Sequence, residues 1–365
     1  MKLSNVQIFW ILTTHALGVT LMLTIRQTIS ISRQDAWISV LIGGAFSLLI
    51  VYVAVKLSQM FPKMTFVEYT QLLLGKKLGK LVLLLYFAQW YTVNGVILRE
   101  FSELMKLTMP QTPTFVIIIG MLLIVVFATY HGIEIIGRCS EFIGPIIIIS
   151  ILVTFILNIN NMDISKLSPV FEETGTAAIL KGAIPTAGFV GQNFVVFMLI
   201  AFLSKPKDGL KAALWGTAIP SIVVALATLI VIATFSPFLP SHMWYPYFRL
   251  IRVISVLDFI QNVDVIFIVV WLTSVFMRLA LIFFAATYGA AQFFNVKNWR
   301  RLIWINAPVV FLISLLPQSV VMSDILYPVY ITQRIALPIV MFGIPLFLLI
   351  LAKVKKRKGD QKISH

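Results

Sequence analysis

Ten stretches of this chain are apolar over roughly the length that a bilayer-crossing helix requires. Such a helix needs about 20 apolar residues to cross about 30 Å of hydrocarbon. Runs such as Phe115–Val126 and Phe142–Ile156 are apolar on every side and do not alternate as barrel strands would. The pattern predicts an all-α polytopic membrane protein with spans at residues 5–27, 36–60, 80–106, 114–132, 138–158, 181–203, 209–236, 263–294, 301–322 and 334–353.

The composition narrows the class of protein further. Of 365 residues, 59% are hydrophobic and 12% are charged, whereas soluble domains have about 45–50% and about 25%. This chain has too few charged residues to cover a soluble fold, which excludes a soluble enzyme, a disordered protein and a nucleic-acid-binding domain. The single cysteine, Cys139, excludes an internal disulfide framework and a cysteine-based metal cluster. We expect neither a metal nor a cofactor.

The basic residues predict how the spans are oriented. The formal charge is +15, and with Met1 inside, 19 of the 29 Lys and Arg residues lie on the inner side. An excess of basic residues is typical of cytoplasmic loops, so both termini are predicted to be cytoplasmic and the charge requires no nucleic acid. Residues 353–365 form a basic cytoplasmic tail that would attract anionic lipid. The pattern of apolar and polar residues over 248–259 predicts a short amphipathic helix on the outer face.

Two predicted spans carry polar and glycine residues at mid-membrane depth. The first span contains Thr13–Thr20, and the sixth contains Gly182–Asn193 with Pro185 among three glycines. Polar groups at this depth are costly unless they are buried in protein or face water. A purely structural interpretation stays open, since small residues permit close helix packing and proline permits a kink.

The positions of the two interruptions favour a solute site. Ten spans divide into two groups of five, at about residues 5–158 and 181–353 of a single transmembrane domain, 1–352. An odd number of spans in each group makes the repeats inverted, and the interrupted helices are the first and the sixth. Matching interruptions in two halves indicate a transporter-like site at the repeat interface. Helix N-termini exposed there can hold a carboxylate, so amino acids are natural ligands.

Charged residues near the spans suggest further roles. Arg99 and Glu103 are one helical turn apart near the outer end of the third span, which predicts a local ion pair or a brace for an outer gate. Glu100 is expected to face the outer interface. Arg278 lies about 22 Å into the eighth span, so it must pair or face a cavity. Glu141 is a candidate partner for it, and a static structural ion pair is the alternative.

Several short motifs are spread over both halves of the chain. They are the polar-small-Gly stretch of the first span, Ser32-Arg33-Gln34-Asp35-Ala36-Trp37-Ile38-Ser39, Phe66-Val67-Glu68-Tyr69 with Leu74-Gly75-Lys76, Arg99-x-x-x-Glu103 before Thr112-Pro113, Leu167-Ser168-Pro169-Val170, and Phe189-x-Gly191. With these motifs the chain resembles, over nearly its whole length, the B subunit of endospore germinant receptors, within the amino acid–polyamine–organocation transporter superfamily.

The resemblance implies a five-plus-five inverted repeat in the spore inner membrane or cell membrane, acting with an A subunit and a lipoprotein C subunit. It further implies recognition of a nutrient germinant, often an amino acid. In the superfamily a cation site joins the first and eighth spans, and we hypothesise that the Arg278 guanidinium replaces that cation. Two departures bear on the ligand. Asn193 stands where members commonly have Glu, and Ile25-Arg26 stands where Pro is frequent.

The candidate pocket draws on four spans. Residues of the third and eighth spans are included because these helices lie beside the site in the superfamily fold. The predicted ligand-binding residues are Thr14, His15, Gly18, Val19, Gln89, Tyr91, Val93, Phe189, Val190, Gly191, Gln192, Asn193, Thr273 and Met277. The residues predicted for gating or ion pairing are Arg99, Glu103, Glu141 and Arg278.

Three functions are distinguishable in principle. The leading interpretation is a germinant-sensing receptor subunit, in which a bound solute favours one conformation of the bundle. The alternative is a proton-coupled amino acid permease, against which stands the lack of an acidic residue in spans one and six. A membrane enzyme is not expected, because the four histidines are scattered and no acid, base and nucleophile come together.

Overall fold

The computed structural model describes residues 1–172, 174–254 and 263–363, and the side chains of all of these except 263–266 and 357–363. This part of the chain consists of helices joined by turns and irregular segments, and its β-pairing is limited to an isolated bridge between Leu3 and Leu203. The α-helices are α1 Asn5–Leu23, α2 Ile25–Ser32, α3 Ala36–Gln59, α4 Phe66–Met105, α5 Thr114–His131, α6 Ile133–Leu157, α7 Thr176–Val190, α8 Val196–Leu199, α9 Gly209–Phe235, α10 Phe238–His242, α11 Pro246–Arg252, α12 Val263–Phe293, α13 Ile303–Leu315 and α14 Ile344–Ile363.

Tighter and wider helical turns connect several of these helices. Gly191–Val195 is a 3₁₀ segment between α7 and α8, and Met322–Gly343 is a π-helical segment that leads into α14. The predicted amphipathic helix at 248–259 is present as α11, which ends at Arg252, while residues 255–259 lie outside the described residues. The predicted tail begins within α14, and its last two residues also lie outside.

Nine helical segments within the described ranges are long and apolar enough to cross a membrane. The predicted span 301–322 differs from the rest, because α13 has only 13 residues. At about 1.5 Å per residue it is about 20 Å long, which is shorter than the hydrocarbon thickness of about 30 Å. The all-α, polytopic prediction is confirmed, and this segment is shorter than the sequence pattern indicated.

Helix starts follow from local capping. At α1, the Ser4 hydroxyl accepts from the Gln7 amide while the Gln7 side chain accepts from the Ser4 amide, both at 3.0 Å. At α4, Thr65 and Glu68 form the same reciprocal box, which satisfies amide groups that would otherwise lack partners. Gly75 then adopts φ 80°, a conformation that favours glycine, and sharply kinks α4 before its long membrane-spanning part.

Helix α1 lies at the centre of the bundle, in contact with α6, α7, α9 and α12. Its N-terminal end is tied to the end of the sixth span, since the Leu3 amide donates to the Phe202 carbonyl at 2.8 Å. Two of the motifs that carry the resemblance meet just before α3 begins. Gln34 donates to the Pro169 carbonyl at 3.0 Å, and the Asp35 carboxylate accepts from the Phe171 amide at 3.2 Å.

The interruption predicted within Thr13–Thr20 is wrong in its position, because α1 runs to Leu23 and the discontinuity lies at Thr24. The threonine hydroxyls explain the difference. Thr13 and Thr14 each donate to the carbonyl four residues earlier, at 2.8 Å, and Thr20 does the same to Ala16. Such back-bonding satisfies polar groups inside a continuous helix. In the sixth span, α7 continues through Pro185 and changes to a 3₁₀ turn at Gly191.

Candidate functional site

Arg278 of α12 lies at the meeting point of three spans and is fully buried. Its guanidinium donates to the His15 carbonyl of α1 at 2.8 Å and to the Gln192 side-chain oxygen at 2.6 Å. Its terminal carbon also lies 5.8 Å from the Phe189 ring centroid, within cation–π range. One side chain therefore connects the first, sixth and eighth spans.

The predicted partner of Arg278 is wrong. Glu141 accepts a hydrogen bond from Gln7 at 3.2 Å, and neither Glu141 nor Arg278 takes part in a salt bridge within the described side chains. The first half of α6 packs against the start of α1, which brings the Glu141 carboxylate to the Gln7 side chain. Arg278 instead uses a backbone carbonyl and an amide oxygen, which are neutral acceptors.

Ser274, one turn before Arg278, bonds to the backbone of α1. Its hydroxyl donates to the Thr14 carbonyl and accepts from the Gly18 amide, both at 3.1 Å. These are the two backbone groups that pair in a regular helix. A Cβ on Gly18 would overlap the Ser274 side chain. The glycine predicted to interrupt the first span thus serves a close approach of α12.

Asn193 joins the first and sixth spans directly. Its side-chain oxygen lies 2.8 Å from His15 Nδ1, and its amide nitrogen donates to Thr217 at 3.0 Å and to the Leu12 carbonyl at 3.3 Å. The His15–Asn193 contact requires a proton on Nδ1 because the amide oxygen only accepts. His15 Nε2 is then a buried acceptor without a described partner.

A small central cavity lies beside Arg278. Its volume is about 10 Å³, which is room for about one water molecule. Spans three, six and eight and the π-helical segment contribute its walls. The lining residues are Val93, Val96, Ile97, Glu100, Phe189, Gln192, Arg278, Tyr327, Pro328 and Thr332. The site is closed in this conformation, and a ligand larger than water requires its walls to separate.

Glu100 lines the central cavity and does not face the outer interface as predicted. Its side chain is 5% exposed, and its Oε2 atom has no hydrogen-bond partner within the described residues. On α4 it follows Val93, Val96 and Ile97 at helical spacing, so it shares their inward face. The sequence held the necessary signal, because an acidic residue inside a predicted span is costly unless it faces the interior of the bundle.

The structure places only some of the predicted pocket residues at this cavity. Val93, Phe189 and Gln192 line it, while Val19, Val190, Gly191 and Met277 are buried in their spans without lining it. Gln89 is buried with an unpartnered side-chain oxygen, Tyr91 is half-buried against the core, and Thr273 bonds to the Val270 carbonyl. Their roles in ligand binding stay predictions.

The Arg99–Glu103 ion pair is confirmed, with 2.7 Å between nitrogen and oxygen. The outer end of the bundle, meaning the end that carries α10 and α11 and is predicted to face outward, also holds a larger cavity of about 170 Å³. Arg26 and Asp324 line this outer vestibule. The Tyr245 hydroxyl donates to Asp324 at 2.8 Å, and Arg26 lies 4.3 Å from the Trp244 ring centroid. The described residues contain no group of three metal-ligating side chains.

Solved structures establish the type of fold. The chain superposes with a TM-score of 0.71 on the closed conformation of Mhp1, a nucleobase-cation-symport-1 family transporter, at 14% identity over 90% of this chain and 75% of that one. It superposes with a TM-score of 0.70 on MhsT in complex with L-phenylalanine, at 11% identity over 95% of this chain and 87% of that one. The predicted fold, with its inverted repeat of transporter type, is confirmed.

Sequence relatives establish the family. "Spore germination protein YndE" of Bacillus subtilis (strain 168) is 29% identical over 340 residues, covering 92% of each chain. A family model described as "Spore germination protein" matches residues 2–321. With its apolar spans, the protein is an integral membrane protein of the permease type and not an enzyme. The chain belongs to the spore germination protein family.

Proposed function

We propose that this protein is the germinant-sensing membrane subunit of a spore germination receptor. It binds a small solute such as an amino acid between the first and sixth spans. The observation that carries this proposal is the convergence of Phe189, Gln192 and Arg278 on one small cavity that also contains Glu100. Arg278 connects this cavity to the first span through the His15 carbonyl. The similarity to MhsT, whose structure contains L-phenylalanine, supports an amino acid as the solute.

Arg278 has a defined role in this proposal. Its guanidinium takes the place of a cation between the first and eighth spans, because it supplies a positive charge to the His15 carbonyl. The subunit then needs no sodium ion to hold these spans together. Replacement of Arg278 by Ala should abolish the response to ligand, and an unchanged response at an unchanged protein level would contradict this role.

The cellular setting completes the proposal. The protein lies in the spore inner membrane with both termini in the cytoplasm, and A and C subunits relay its change of conformation. The 19 basic residues predicted on the inner side support this orientation. Co-purification of the A and C subunits with the tagged chain from spore membranes tests the assembly.

A second candidate function is a proton-coupled amino acid permease. Glu100 specifically favours it, because a buried carboxyl group beside the central cavity could carry a proton together with a solute. Glu100 lies in the third span, so it can carry a proton although the first and sixth spans contain no acidic residue.

Proteoliposomes that contain the purified chain distinguish the two functions. A sensor binds the solute without accumulating it, whereas a proton-coupled permease concentrates it when a proton gradient is imposed. We expect saturable binding without uptake against a gradient. Concentrative uptake by the isolated chain would contradict the sensor, and the absence of binding by any nutrient solute would contradict both functions.

A further inference from the structure

Two opposite charges line the central cavity without contacting each other. Glu100 on α4 and Arg278 on α12 both belong to its wall. The salt bridges within the described side chains do not include either residue. Glu100 is therefore separated from the nearest guanidinium by more than the length of an ion pair.

Each of the two residues also has an unpartnered polar atom. Glu100 Oε2 and Arg278 Nε are buried without a hydrogen-bond partner in the described part of the chain. An unpaired charge in the interior is costly, and buried polar atoms are normally satisfied. Two side chains of opposite charge, each with an unpartnered polar atom, therefore line one cavity and can bind a ligand that carries both charges.

The remaining wall limits the shape of that occupant. Val93, Val96 and Ile97 form an apolar surface on the α4 side, and Phe189 adds an aromatic ring on the α7 side. Apolar walls with a few converging polar groups are typical of small-molecule sites. The cavity holds about one water molecule when closed, so a ligand that fits after a limited opening must be small.

We propose that Glu100 binds the ammonium group and Arg278 the carboxylate of a small zwitterionic α-amino acid. This inference rests on the proposed function and adds the two residues that select the ligand by its charges. The apolar wall then receives a short apolar side chain. Hydrogen bonds between charged groups are among the strongest in proteins, and the ammonium and carboxylate groups would supply partners for Glu100 Oε2 and Arg278 Nε.

The test uses the full chain in lipid nanodiscs and isothermal titration calorimetry. Each common L-amino acid is titrated first. The best binder is then compared with its carboxamide, which lacks the carboxylate charge, and with its deaminated carboxylic acid, which lacks the ammonium group. We expect each analogue to bind the wild-type chain about tenfold to a hundredfold more weakly than the amino acid.

Variants assign the two contacts. Glu100→Gln should weaken binding of the amino acid by about tenfold to a hundredfold while leaving the weaker deaminated acid unaffected. Arg278→Lys should weaken both of these ligands and leave the carboxamide unaffected. If Arg278→Lys does not fold, the carboxamide tests the same contact in the wild-type chain. Glu141→Gln is the matched control, because Glu141 bonds to Gln7 and lies outside the cavity lining.

Several outcomes would overturn the inference and leave the proposed function standing. These are equal binding of the amino acid and both analogues, an equal effect of Glu100→Gln on the amino acid and the deaminated acid, and binding of an uncharged solute only. Loss of proton-driven uptake in Glu100→Gln, with ligand discrimination unchanged, would also overturn it and favour the permease. If no solute binds the wild-type chain, the proposed function fails with it.

Discussion

The first and sixth spans carry similar polar interruptions in the sequence, yet the structure accommodates them differently. In α1 the threonine hydroxyls bond to their own helix, and Ser274 bridges the backbone groups of Thr14 and Gly18. In the sixth span the backbone itself changes from α-helix to a 3₁₀ turn at Gly191. A helix with a polar stretch at membrane depth therefore need not unwind if another helix supplies hydrogen-bond partners.

Alanine substitutions at Gly18 and Gly191 are expected to show the largest difference in stability between the two spans. Gly18→Ala should destabilise the protein by about 3 kcal/mol, because its Cβ overlaps both Ser274 Oγ and Ser274 Cβ. Gly191→Ala should cost less than about 1 kcal/mol, since its Cβ comes no closer than 3.1 Å, to the end of the Ile50 side chain. Thermal unfolding of the purified variants measures both.

A second-site change tests the cause of the first effect. Ser274→Gly in the Gly18→Ala background removes the overlapping side chain, so it should restore most of the lost stability. Equal destabilisation by the two glycine variants, or failure of this rescue, would contradict the close approach of α12 to α1.

Asn193 provides the next contrast, because it is the side chain that joins the two spans. Asn193→Leu should cost about 2 kcal/mol, since it leaves His15 and Thr217 without their shared partner. Asn94→Leu is a matched control. Asn94 is similarly buried, but among the described residues its side chain bonds to the Trp90 carbonyl of its own helix and to no other span. Equal shifts of the unfolding curves for the two variants would contradict a stabilising link between the first and sixth spans through Asn193.

Ser274→Ala should have a smaller effect, below about 1 kcal/mol. Once its hydroxyl is absent, the Gly18 amide and the Thr14 carbonyl can pair with each other as in a regular helix. Ser140→Ala is the control, because Ser140 is buried and bonds back to Ile136 in its own helix. A loss much greater for Ser274→Ala than for the control would show that α1 cannot close this bond.

The Arg99–Glu103 pair should contribute least, about 0.5 kcal/mol, because it is a local pair one turn apart on one helix. A double-mutant cycle with Arg99→Gln and Glu103→Gln measures the coupling. A coupling several times larger would indicate that the pair is more than local and would support the predicted role as a brace for an outer gate.

The comparison also separates what the sequence could predict from what it could not. Arg278 was identifiable because an arginine inside an apolar span must find partners. Its actual partners, the His15 carbonyl and Gln192, depend on how three spans pack. Glu141 was a plausible partner by charge alone and lies elsewhere, next to Gln7.

The places of two residues at the site were not predicted from the sequence, for different reasons. A serine in an apolar span does not by itself indicate a site residue. Ser274 nevertheless lies one turn before Arg278 and therefore on the same face of α12. Glu100 lay next to the Arg99–Glu103 pair, and this neighbourhood suggested an interface instead of the bundle interior. The spans themselves were predictable from hydropathy, whereas the position of each interruption depends on hydrogen bonds between distant segments.

If a solute binds where the first and sixth spans meet at Arg278, a larger side chain at the wall of the central cavity must block it. Binding of nutrient solutes to the full chain in nanodiscs is therefore compared between wild type and Phe189→Trp. The larger ring fills the central cavity that Phe189 lines, whereas Phe347→Trp alters an exposed residue and serves as the control. We expect Phe189→Trp to fold but to lose solute binding, and Phe347→Trp to retain it. Undiminished binding by folded Phe189→Trp would contradict a solute site at this cavity.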